Sequence, residues 1–135
     1  MTSRWLEGKK KVVETALRMA EMGLVSGSSG NVSMRLAPLE GRDILAITAA
    51  GVDYDELGVD DIAIVDYELE PVEGDAIPSS ESLLHVTIYR RRPDVDAVVH
   101  THALYSSVAA VAGVPIPPII DEIVVNIGGE VRISK

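Results

Sequence analysis

Two short strand-like segments, residues 32–36 and 44–48, flank the polar turn Glu40-Gly41-Arg42-Asp43, and this arrangement limits the fold more than any other feature of the chain. Two strand-like runs joined through a glycine-bearing turn read as an antiparallel hairpin. Before the hairpin, Leu6, Val13, Leu17, Ala20 and Leu24 recur at helical spacing over 4–22, and Gly23 stands where such a helix would stop. The cluster Lys9-Lys10-Lys11 on that helix reads as a solvated face. After the hairpin come one helical turn at 53–57, a strand at 62–65 and a loop over 71–78. A helix follows at 81–92, with Ser79 or Ser80 as N-cap and Pro93 as its stop. A strand then ends at His100-Thr101-His102, succeeded by a helix over 104–111 and an extended crossing over 114–119. A helix at 121–127 and a strand at 131–133 close the chain, and an ending inside an incipient strand suggests that more protein follows. The mixture points to an α+β fold, or a sheet between helical layers, with much antiparallel pairing.

Composition narrows the function. At 135 residues the chain reads as one domain, residues 1–135, and 47% hydrophobic content suits a packed core. With no Phe and one Trp, that core is expected to be aliphatic. A net charge of −9 argues against nucleic acid, whose phosphates need clustered Lys and Arg, but leaves room for a small phosphorylated metabolite. The absence of cysteine excludes disulfides and thiolate metal sites, so any metal must be held by His, Asp or Glu. No signal-like or membrane-length apolar run is present, and the reading is a cytoplasmic protein with no membrane partner.

The chemistry concentrates in few residues. In an extended strand alternate side chains share a face, so His100 and His102 would project together, about 7 Å apart at the backbone. Two imidazoles so placed can converge on one divalent ion. Upstream, Pro78-Ser79-Ser80-Glu81 opens a helix. Its serines read locally as caps and Glu81 as a dipole partner, although the same backbone amides would also receive an anion. The loop Gly27-Ser28-Ser29-Gly30-Asn31 is a flexible connection on this pattern alone, with donors that could face a phosphate. His85 lies one helical turn past Glu81 and reads as a packed, hydrogen-bonded core histidine rather than a fourth ligand.

Taken in order, Gly23-Leu24-Val25, Ser29-Gly30-Asn31-Val32-Ser33, Ile47-Thr48-Ala49-Ala50-Gly51, Pro78-Ser79-Ser80-Glu81, Arg92-Pro93-Asp94-Val95 and Val98-Val99-His100-Thr101-His102-Ala103 resemble the class II aldolase/adducin family. The resemblance covers Leu6 to Lys135. It implies a three-layer α/β/α fold around a mostly antiparallel sheet, assembled as a homotetramer with active sites at subunit interfaces. It also implies zinc, or another divalent metal, on His100 and His102, with a third histidine beyond residue 135. The chain would then be the N-terminal part of a usually longer domain.

By the same resemblance Glu81 is the acid/base residue and a metal contact in the absence of substrate. Asn31, Gly51, Ser79 and Ser80 hold the substrate phosphate, with Ser28 nearby. The implied activity is retro-aldol cleavage of a small phosphorylated ketose such as L-fuculose 1-phosphate. A dehydratase of a related sugar phosphate, an epimerase, or a non-catalytic adducin-like interaction domain are the competing readings. Ala50 stands where family members often carry a hydroxyl, and the catalytic tyrosine of fuculose-phosphate members is absent near Asp121. Epimerases carry Asp where this chain has Glu81, which favours the aldolase or dehydratase branches.

Overall fold

The computed structural model describes residues 3–134. It divides into two compact units, one running to Thr101 and one from His102. The first unit holds α1 (Leu6–Glu21), β1 (Asn31–Leu39), β2 (Arg42–Thr48), β3 (Ile62–Asp66), β4 (Pro71–Glu73), α2 (Ser82–Arg91) and β5 (Ala97–His100). Its five strands lie in the order β4-β3-β2-β1-β5, and every neighbouring pair is antiparallel. The hairpin expected from the turn is β1–β2. Glu40 and Gly41 both take positive φ, 52° and 79°, the turn geometry whose twist matches that of the flanking strands.

Alternation along the strands builds two apolar layers. Ile44 and Ala46 of β2 join Ile62, Ile64 and Val32 beneath Val12, Ala16 and Met19 of α1. Leu45 and Ile47 turn the other way, with Ala63 and Val65, and pack against Val86 and Tyr89 of α2. A central strand buried on both faces needs no polar alternation, which is why 44–48 reads as a continuous apolar run. Fully burying an Ile or Leu side chain contributes about 1.5–3 kcal/mol, so the layers around β2 dominate the stability of this unit.

Several expectations change. The buried stripe of α1 is Lys9, Val12, Ala16 and Met19, and Leu17 remains exposed. Lys9 is therefore not on a solvated face: its ammonium meets Glu73 of β4 at 3.0 Å, and Ser3 donates to the same carboxylate at 2.6 Å. The loop expected over 71–78 contains β4, a three-residue edge strand whose pairing with β3 comes from tertiary contact. The core is not purely aliphatic, because Trp5, Tyr54, Tyr67 and Tyr89 are buried in it. The expected helical turn lies at Tyr54–Glu56 as a 3-10 turn, and a second 3-10 turn at Val59–Asp61 follows it.

The second unit holds α3 (Leu104–Ala112) and α4 (Asp121–Ile127). The strand expected over 131–133 reduces to a single bridge between Val131 and Ile116. Among the described residues no helix is long and apolar enough to cross a membrane.

Candidate active site

The site is built where β1 faces α2. Along β1, Asn31, Ser33 and Arg35 alternate with Val32, Met34 and Leu36, so one face of the strand is polar and the other apolar. On the helix side Glu81, His85 and Tyr89 recur every four residues and share one face. Two strand residues advance about 6.6 Å and four helical residues about 6 Å, so the stripes stay in register.

The contacts follow that match. Asn31 Nδ2 donates to Glu81 Oε2 at 2.6 Å and to Ser79 Oγ at 3.0 Å. Its Oδ1 pairs with His85 Nε2 at 2.5 Å. His85 Nδ1 lies 2.6 Å from Ser33 Oγ, which lies 2.7 Å from the Tyr89 hydroxyl. Asn31, Ser33, His85 and Tyr89 are all buried. Burial pushes the His85 imidazole down to about 4, a nearby His100 charge adds to this, and Glu81 opposes it. The ring is neutral at pH 7. Burial likewise raises the Tyr89 hydroxyl to about 12.

The other members arrive from β5 and the α2 approach. His100 sits directly across from Asn31 in the β1–β5 ladder, and its Nδ1 lies 3.0 Å from Glu81 Oε2. Strand pairing ends at His100, so His102 is not on the extended strand the tripeptide predicts. His102 opens the second unit, and within the first unit the groups that meet are the Glu81 carboxylate and the His100 ring. An imidazole nitrogen beside a carboxylate oxygen is donor chemistry that a zinc-like divalent ion takes, so Glu81 and His100 fit such an ion.

Helix α2 begins at Ser82, one residue later than the sequence predicts, with Glu81 at the N-cap position. Ser79 and Ser80 therefore do not occupy the cap. Ser79 instead accepts the Glu81 backbone N–H on its Oγ at 3.3 Å and the Ser82 N–H on its carbonyl at 3.0 Å. Its own N–H donates to Thr48 O at 3.1 Å, and Ala50 N–H donates to Ile77 O at 2.9 Å, which brings the Ala49-Ala50-Gly51 turn alongside the serine segment. Ser28 and Ser80 are exposed on their loops and enter none of these hydrogen bonds.

Gly30 is explained by close approach. At φ +73°, a Cβ here would fall 2.6 Å from the His100 carbonyl oxygen and 2.6 Å from Val25 Cγ1. The glycine thus lets β5 lie against the end of the loop. Tyr89 is the participant that motif reasoning misses, although its spacing from Glu81 and His85 is a readable signal.

The family model described as the Class II Aldolase and Adducin N-terminal domain matches residues 10–135. The chain is 36% identical over 110 residues to an L-fuculose phosphate aldolase of Escherichia coli O6:H1, covering 82% of this chain and 48% of that protein. It is 39% identical over 110 residues to a 5-methylthioribulose-1-phosphate/5-deoxyribulose-1-phosphate aldolase of Escherichia coli O45:K1, covering 82% and 49%. A solved structure of an L-fuculose 1-phosphate aldolase superposes with a TM-score of 0.73 at 33% identity, covering 87% of this chain and 53% of that one. The chain spans about half the length of the curated relatives it matches.

Proposed function

The chain belongs to the class II aldolase and adducin family, and from that premise we propose that it carries the proton-transfer and phosphate-binding half of a metal-dependent aldehyde lyase acting on a small phosphorylated ketose. The observation that carries this reading is the Glu81 carboxylate held between the Asn31 amide at 2.6 Å and the His100 ring at 3.0 Å. Support for the substrate class comes from the aldolases of phosphorylated ketoses among its relatives.

His100, His102 and Glu81 are the residues that would hold the cation. When bound, a divalent ion supplies Lewis-acid stabilisation of the oxygen charge that builds as the carbon–carbon bond breaks. Glu81 is the group that moves a proton to or from the reacting carbon. Asn31, Gly51, Ser79 and Ser80 would hold the phosphate, with Ser28 at the rim, so that binding energy far from the reacting bond orients it. Both Asn31 Nδ2 protons are taken, by Ser79 and by Glu81. A phosphate oxygen that takes a proton from Asn31 must therefore displace Ser79, if the bond to Glu81 is to stay.

The whole protein is read as cytoplasmic and oligomeric, as a homotetramer. Incubating the purified protein with zinc and L-fuculose 1-phosphate tests the reading. Release of a carbonyl fragment supports cleavage, whereas a product with its carbon skeleton whole but lacking the elements of water identifies a dehydratase. In a full-length version Glu81→Gln is expected to lower turnover by about 10²-fold or more while retaining zinc, and His100→Ala to lose both. Near-normal cleavage by Glu81→Gln would falsify the assignment, and absence of bound metal in the unmutated protein would favour an adducin-like interaction role.

A further inference from the structure

His85 is fully buried and offers no face to a substrate, yet its two side-chain hydrogen bonds set the direction of every proton between Tyr89 and Glu81. Ser33 Oγ lies between the Tyr89 hydroxyl and His85 Nδ1, and it accepts from the tyrosine when it donates to the ring. Ser33 in turn has its proton for His85 Nδ1. A bare Nδ1 on a neutral ring leaves the proton on Nε2, which donates to Asn31 Oδ1. Asn31 then directs both Nδ2 protons outward, to Ser79 and Glu81.

The opposite direction fails at the far end. An Nδ1–H ring would turn the Asn31 amide over and set its carbonyl oxygen against a carboxylate oxygen at 2.6 Å, two acceptors with no proton between them.

We propose that His85 is a positioning residue for Glu81: its Nε2–H tautomer locks the Asn31 side chain with the NH2 toward the carboxylate, and Ser33 and Tyr89 brace that ring. The proposal rests on the preceding reading of Glu81 as the proton-carrying group, but the hydrogen-bond chain is measurable without any turnover. A histidine that only filled the core would need no particular tautomer.

The experiment is NMR on the 15N-labelled protein at neutral pH, with the Asn31 side-chain amide and the His85 ring nitrogens as probes. The expected result is a protonated Nε2, a bare Nδ1 and slow exchange of the Asn31 NH2. His85→Leu, apolar and of similar bulk, is expected to speed that exchange by about tenfold or more. It should also lower kcat by about tenfold or more with KM little changed, as loss of an outer partner does. His85→Gln restores a donor toward Asn31 Oδ1 and should recover most of both. Ser33→Ala, milder for folding, removes the partner of Nδ1 and should speed exchange of the Asn31 NH2 while His85 keeps its proton on Nε2. An Nδ1–H ring in the unmutated protein overturns the proposal, as does a folded His85→Leu variant whose Asn31 exchange is unchanged. An intact hydrogen-bond chain in a protein that cleaves no sugar phosphate would instead overturn the function proposed above.

Discussion

Replacing Gly30 by alanine tests whether the loop glycine serves backbone approach. Two penalties are visible. An L-residue at φ +73° carries the left-handed backbone cost of about 1–2 kcal/mol. The new Cβ would also lie 2.6 Å from the His100 carbonyl and from Val25 Cγ1, where ordinary contact begins at 3.4 Å, so β5 or Val25 must give by the difference of 0.8 Å. Overpacking of that kind costs about 1–3 kcal/mol, because the carbonyl is backbone and cannot swing away. The sum is about 2–5 kcal/mol, a large part of the roughly 5–15 kcal/mol that holds a domain together. Gly23→Ala is the internal control. Its φ is +69° with nothing within 4 Å, so it should show only the backbone cost. The entropy removed from the unfolded chain is the same in both variants and cancels in the comparison. Urea unfolding at fixed pH, read as midpoint times slope, gives the difference directly. Gly30→Ala should be the less stable by about 1–3 kcal/mol and, on the metal-holding role proposed for His100, should weaken divalent-ion binding. Equal losses in the two variants would show that the close approach carries no energetic weight.

Other outcomes follow from the same geometry. His85 titrates at about 4 in the folded protein against an ordinary 6.5, so between those values the unfolded chain binds a proton that the folded one refuses. Stability should therefore fall as pH drops through that window, by up to about 1.4 kcal/mol per pH unit from this group. Urea midpoints across the window, in the unmutated protein and in His85→Gln, check this: an identical slope in both removes His85 as the source. Arg35 donates to the carbonyls of Val95, Tyr89 and Arg92 and to the Tyr67 hydroxyl, and lies 4.9 Å from the centre of the Tyr89 ring. Arg35→Lys keeps the charge but loses the fork, and should cost about 1–3 kcal/mol in the same unfolding assay. A cost below about 0.5 kcal/mol would mean that water replaces those bonds without penalty.

Legibility tracked the range of the interactions. The hairpin was readable because Glu40-Gly41 sets its register within a few residues, and the helix at 121–127 because its apolar spacing is local. The pairing of β4 was not readable: Pro71-Val72-Glu73 has no periodicity of its own, and its strand exists because β3 presents an open edge. Lys9 misled for a related reason, since the carboxylate that makes its burial tolerable comes from Glu73, 64 residues away in the chain. At the site, Glu81 and His100 were legible as candidate groups from residue type alone. Their approach was not, because His100 reaches Glu81 only through its ladder position opposite Asn31.

From its own order of residues the chain determined the β1–β2 hairpin and the four helices, the polar stripe of β1 and the helical stripe from Glu81 to Tyr89, since these depend on backbone period and side-chain type. Tertiary structure alone decided that the two stripes would face each other, and with that which way the Asn31 amide points. Hydrogen-bond direction is a property of a closed network, and no member of it carries that information before the others are in place.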